Sequence, residues 1–143
     1  MTVAAILKHK GHDIASVRPA TTIAEVTRLL SDRRIGAVIV DDSEQLLGIV
    51  SERDIIHGLA ANGAKVLEMT AGQLMTRALK TATPQTTVPE AMAMMTAGRF
   101  RHMPVIENGA LIGIVSIGDV VKARIMEQEH EVDSLKAYVA GAV

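Results

Sequence analysis

The residues best suited to chemistry stand in one phrase that the chain writes twice. Gly48-Ile49-Val50-Ser51-Glu52-Arg53-Asp54 returns as Gly113-Ile114-Val115-Ser116-Ile117-Gly118-Asp119. In each copy an apolar pair ends a strand, a serine occupies the turn, and an aspartate falls in the first turn of the next helix. Such strand-to-helix corners are where open sheets present ligand sites. A carboxylate there can accept both hydroxyls of a ribose, while the serine hydroxyl and helix amides face phosphate. The glycine permits close backbone approach. Ser-x-x-Asp is equally a helix cap, with an acid placed where the helix dipole favours it. Taken once, the cap is the stronger explanation; the second copy makes the site competitive with it.

Other reactive side chains are sparse. His9-x-x-His12 brings two imidazoles near each other, but no cysteine or carboxylate completes a metal set, and the stretch reads as an exposed loop. His57 and His130 read as helix surface. Neither a Walker loop nor G-x-G-x-x-G is present, so phosphate binding here implies neither hydrolysis nor hydride transfer. The chain has no cysteine, one Phe and one Tyr. That excludes a disulfide framework, a thiolate metal site and a cysteine nucleophile, and leaves no set of aromatic platforms for stacking bases. A formal net charge of -1 offers nucleic acid or an anionic membrane no electrostatic purchase. With neither a basic-plus-apolar leader nor an 18-residue apolar span, the expectation is a soluble, cytoplasmic protein that binds neither membrane nor nucleic acid.

The elements that position the corners repeat with them. An offset of 65 residues holds ungapped upstream: Pro19 meets Pro84, Thr21-Thr22 meets Thr86-Thr87, Arg34 meets Arg99, Leu46 meets Leu111. Fixed-period self-similarity marks a supersecondary unit whose copies bury their apolar faces together. In the first copy the pattern gives a strand over 14–17, a helix from the capping box Thr22-x-x-Glu25 to about Arg33, strands over 37–40 and 46–50, and a helix over 52–61. In the second it gives a strand over 79–83, a helix after Thr87-x-x-Glu90, and strands over 103–106 and 111–115 joined at Asn108-Gly109, a hairpin turn. The last helix begins near Gly118. Val3–Lys8 forms a short lead-in helix, and Lys65–Leu74 a connector lying along the surface. Met92, Met94 and Met95 read as core. Val121, Ile125, Val132, Leu135 and Val139 carry the last helix on towards Gly141, docked on its own domain or exchanged across a dimer seam.

This order, the run Arg101-His102-Met103-Pro104-Val105 and the doubled phrase resemble the cystathionine-β-synthase (CBS) domain over roughly residues 3–126. The whole looks like a stand-alone CBS pair with no catalytic domain. The resemblance implies an α/β (α+β) fold of two β-α-β-β-α repeats about a pseudo-two-fold axis, plus an extended C-terminal helix. The divisions are 1–61, a connector 62–74, 75–126, and a tail 127–143. It further implies two composite clefts binding AMP, ADP, ATP, NAD(H) or S-adenosylmethionine. In one, Asp119 with Ile114, Ser116 and Gly118 faces a base clamp of Ile14, Ala15, Ile35, Gly36 and Ala37. In the other, Asp54 with Ile49, Ser51 and Arg53 faces Leu79, Lys80, Phe100, Arg101 and His102. Because Arg101 and His102 stand where the first copy has Gly36 and Ala37, tighter phosphate binding is expected at the Asp54 site. No catalytic residue, metal or catalytic cofactor is implied. The implied function is a regulatory, energy-sensing module, homodimeric through its helices and read by a further protein. Two rivals stand beside it: a dimeric interaction protein whose corners are only caps, and an enzyme that consumes the nucleotide. The latter lacks any spacing that assembles a nucleophile, base and orienting group.

Overall fold

In the computed structural model, residues 1–43 and 45–141 are described. Their order is α1 (Val3–Lys10), β1 (Ser16–Val17), α2 (Ile23–Arg33), β2 (Ala37–Asp42), β3 (Gln45–Ser51), α3 (Glu52–Asn62), a 3-10 helix (Gly63–Glu68), α4 (Ala71–Leu74), α5 (Val88–Gly98), β4 (His102–Glu107), β5 (Ala110–Ser116) and α6 (Ile117–Gly141). They pack as two units: Asp13–Leu79, and Met1–His12 together with the chain from Lys80 onward.

The Asp13–Leu79 unit is a three-stranded sheet, β1 parallel to β2 and β2 antiparallel to β3, with α2 and α3 alongside. Ile23, Val26, Leu30, Val38, Val40 and Val50 are buried at its centre. Thr22 caps α2 by accepting the Glu25 amide, and α2 ends on Arg34 in the left-handed region, φ 54°, which closes its last carbonyls. The connector is more than a surface strap. Val66 and Ala71 are buried with the core, and α4 is anchored by a full capping box, Thr70 with Gln73, that the S/T-x-x-Q spacing announces.

The other unit repeats the plan around β4 and β5, with Val88, Ala91, Met95, Met103, Val105 and Val115 buried. Met92 and Met94 pack partly buried against this cluster. Asn108 and Gly109 turn the hairpin at φ 51° and 79°, the paired positive angles that a two-residue turn requires. Its contents differ from the sequence expectation in two ways. The lead-in helix α1, contiguous in sequence with the first repeat, supplies Val3, Ile6 and Leu7 to this core. The strand expected over 79–83 shrinks to a single bridge, Ala82 to Val105. In the first repeat the Ile39 amide donates to the Ala15 carbonyl at 2.9 Å. The 65-residue register puts Pro104 in place of Ile39 and Lys80 in place of Ala15. Proline has no amide hydrogen, so that bond cannot form and the ladder shortens.

Candidate functional site

Each corner is built by its own hairpin. In the Asp13–Leu79 unit, β2 opens where β3 closes: Ala37 lies opposite Ser51, and the Glu52 amide donates to the Gly36 carbonyl at 2.9 Å. Ser51 then caps α3. The Asp54 amide donates to Ser51 Oγ at 3.3 Å, and the Ser51 amide donates to Asp54 Oδ2 at 2.8 Å. Asp54 is therefore held rigidly at the first turn. Its Oδ1 accepts the Thr76 hydroxyl at 2.9 Å. Thr76 arrives because residue 76 bridges to Ile49 at the end of β3, their amides and carbonyls bonded in both directions at 3.1 and 2.8 Å. Gly48 admits that crossing: a Cβ there would sit 2.7 Å from the Thr76 carbonyl oxygen. The close approach expected of the phrase's glycine is thus an approach of the protein's own chain.

The second corner matches in frame and differs in charge. His102 lies opposite Ser116, and the Ile117 amide donates to the Arg101 carbonyl at 2.8 Å. Ser116 and Asp119 exchange the same reciprocal bonds, at 3.1 and 2.8 Å. Where Asp54 meets a hydroxyl, Asp119 meets a cation. Lys10, at the end of α1, donates to Asp119 Oδ2 at 2.6 Å and to the Ile114 carbonyl at 2.9 Å. Burial pushes the Asp119 carboxyl up, but the Lys10 ammonium and the Ser116 amide and hydroxyl outweigh it, so it titrates below the ordinary aspartate value. Gly113 gives α1 room: a Cβ would lie 2.7 Å from Leu7 Cδ2. A Cβ at Gly118 would meet only Ser116 Oγ, at 3.6 Å.

The sequence-predicted residues divide accordingly. Ile35, Gly36, Ala37, Ile49, Ser51, Arg53 and Asp54 gather at the hairpin base of one unit, with Ile14 and Ala15 at the entry to β1. Phe100, Arg101, His102, Ile114, Ser116, Gly118 and Asp119 gather at the base of the other. Leu79 closes the first unit and Lys80 opens the chain of the second. Asp54 and Asp119 are half-buried, Arg53 and Arg101 exposed. A cavity of about 630 Å³ between α2 and α3 takes Ile35, Gly36 and Glu52 into its lining but neither Ser51 nor Asp54. Lys10 and Thr76 were not among the expected residues. The repeat register pairs them with Met75 and Gly11, so the duplication offers no signal for either.

A helix–strand–strand–helix plan repeated in both units, preceded by a strand in one and a single bridge in the other, with a Ser-capped aspartate at each hairpin base, can be compared with known proteins. The family model of the CBS domain matches residues 4–61 and 71–126. The chain belongs to the CBS-domain family. This CBS pair is 37% identical over 125 residues to "CBS domain-containing protein CBSX3, mitochondrial" of Arabidopsis thaliana, aligning 84% of its own length with 61% of that protein. It thus spans less than two thirds of that relative's length. Its fold matches the crystal structure of the CBS-domain containing protein ATU1752 from Agrobacterium tumefaciens with a TM-score of 0.85 at 43% identity, covering 87% of this chain and 99% of that one. The structure of CBSX2 in complex with AMP matches with a TM-score of 0.71 at 26% identity, over 89% and 98% of the two chains. Among the described residues, no helix is long and apolar enough to cross a membrane.

Proposed function

We propose that this CBS pair is a regulatory module that binds an adenosine-containing nucleotide, AMP, ADP, ATP or NAD(H), at its Ser-x-x-Asp corners. The observation that carries the reading is the rigid presentation of Asp54 and Asp119. Each is fixed by a reciprocal serine cap, so a carboxylate is pre-oriented for a ribose diol beside a helix N-terminus that favours phosphate. The AMP complex of the CBSX2 relative points to the same ligand class. The expected ligand residues are those gathered at the two hairpin bases, together with Ile14, Ala15, Leu79 and Lys80. Asp54 is held by neutral donors whereas Lys10 must release Asp119 before a ribose can take its place; this supports tighter binding at the Asp54 corner.

The module acts by equilibrium rather than by chemistry. A nucleotide favours the conformation it binds best, and the shift is limited by its differential affinity for the two states. A further protein reads that shift, and two copies pair as a homodimer through exposed helical faces. The cysteine-free composition suits the reducing cytoplasm, where we place the protein; cell fractionation decides between this and the mitochondrion of the Arabidopsis relative. A thermal-shift panel of nucleotide-stripped protein with AMP, ADP, ATP, NAD, NADH and S-adenosylmethionine tests the reading. A ligand at a hundredfold its dissociation constant adds about 2.7 kcal/mol, which raises the melting temperature several degrees. If none of them raises it, the second reading takes over: a dimeric interaction protein, favoured by the apolar stripe on α6.

A further inference from the structure

The two halves of α6 have different surroundings. In the first, Val120 and Ala123 are buried, and Glu127 accepts the Met1 amino group at 2.7 Å and Arg124 at 3.0 Å. In the second, residues 128–141 are all exposed. An isolated helix of that length is marginal in water and needs packing to persist. An apolar stripe runs along both halves: Val121, Ile125, Val132, Leu135 and Val139 are 39–63% exposed.

The spacing of that stripe is specific. With Gln128 included, steps of four and three residues alternate from 121 to 139, the pattern of a heptad seam. Ile125, Val132 and Val139 occupy the a positions, and Val121, Gln128 and Leu135 the d positions. Val120, Ala123 and Glu127, which face their own unit, fall at c and f, away from the seam. β-Branched residues at a with leucine at d favour two parallel strands; here all three a positions are β-branched and one of the three d positions, Leu135, is leucine. The flanking charges agree with a second copy as the partner. In a parallel, in-register pair each g residue meets the e residue five positions on. Arg124 then meets the partner's Glu129, and Glu131 meets the partner's Lys136. An antiparallel overlap of the same stripe would set Glu131 against the partner's Glu131, Glu129 against the partner's Glu129, and Lys122 against the partner's Lys136. Five acids against three bases over residues 117–141 also disfavour an anionic lipid surface as the occupant.

We propose that residues 121–139 of α6 form a parallel, in-register, two-stranded coiled coil with a second copy of this chain. The proposal rests on the homodimer reading and adds its segment, orientation and register. It gives the module a rod roughly 28 Å long at 1.5 Å per residue, independent of the nucleotide corners.

Because the chain has no cysteine, single thiols can be placed at will. Full-length Val121→Cys and Val139→Cys are each treated with a short bis-maleimide at low concentration. The expected result is efficient cross-linking of each variant to itself. Cross-linking only when the two are mixed indicates the antiparallel arrangement and overturns the proposal; no cross-linking in any combination also overturns it. Sedimentation equilibrium supplies the second arm. Leu135→Asp, at an exposed site, is expected to raise the dimer dissociation constant at least tenfold with the helix signal of the folded protein kept. Glu131→Lys should weaken the dimer, and adding Lys136→Glu should restore it. A wild-type dimer that neither Leu135→Asp nor Glu131→Lys disturbs keeps the homodimer and removes the coil. A wild-type monomer removes both.

Discussion

Leu7 and Gly113 provide a sharp test of how the lead-in helix is built into the second repeat. Leu7 is 1% exposed, and truncating such a side chain to alanine costs about 2–5 kcal/mol through lost burial and the cavity left behind. Gly113→Ala places a methyl 2.7 Å from Leu7 Cδ2 and 3.1 Å from Cδ1. Overpacking of that kind costs about 1–3 kcal/mol. The two costs share the same atoms. Once Leu7 is alanine, both Cδ atoms are gone and the methyl at position 113 enters the space they left. The double variant should therefore be no less stable than Leu7→Ala alone, a coupling of about 1–3 kcal/mol, within the range seen for residues in contact. Urea denaturation of the four proteins of the cycle measures it directly, and each kcal/mol moves the melting temperature by about 3–5 °C for a chain of this size. Additive costs, within about 0.5 kcal/mol, would refute the packing of α1 over Gly113.

Two further outcomes follow from particular bonds. The folded-state pKa of Asp119 lies below its ordinary value of 3.8, so its contribution to stability is complete above about pH 4 and is lost as pH falls through the folded pKa. Lys10→Met should cost about 0.5–1 kcal/mol near neutrality, as expected of a partly exposed pair, and the gap to wild type should narrow in melts taken to progressively lower pH as Asp119 protonates; a gap independent of pH contradicts the Lys10–Asp119 assignment. Pro104→Val restores the missing amide opposite Lys80, and that new amide should be strongly protected in hydrogen exchange, as a ladder bond would make it. Exchange at the rate of an exposed amide would show that proline is not what shortens the strand.

Much of the architecture was legible because it is local and written twice. The caps at Thr22, Ser51, Thr87 and Ser116, the hairpin at Asn108-Gly109 and the amphipathic helices each follow from a few neighbouring residues. What escaped was non-local. Nothing in Val3-Ala4-Ala5-Ile6-Leu7 says which repeat will bury it, and the pairing of Lys10 with Asp119 spans 109 residues without an echo in the first copy. The Thr70–Gln73 box and the effect of Pro104 were readable in principle, the first from spacing and the second from the absence of an amide. The corners were visible as residue types, while their charge difference emerged only when Lys10 and Thr76 were in place.

The central claim is that a nucleotide binds at these corners, and calorimetric titration of nucleotide-stripped protein with AMP tests it most directly. A micromolar dissociation constant, about 8 kcal/mol, is the expected result, with Asp54→Asn abolishing the tighter binding step and Asp119→Asn the weaker one. No heat from AMP, and none from ATP, NAD, NADH or S-adenosylmethionine, with the protein folded throughout, would contradict the claim and leave both aspartates as helix caps.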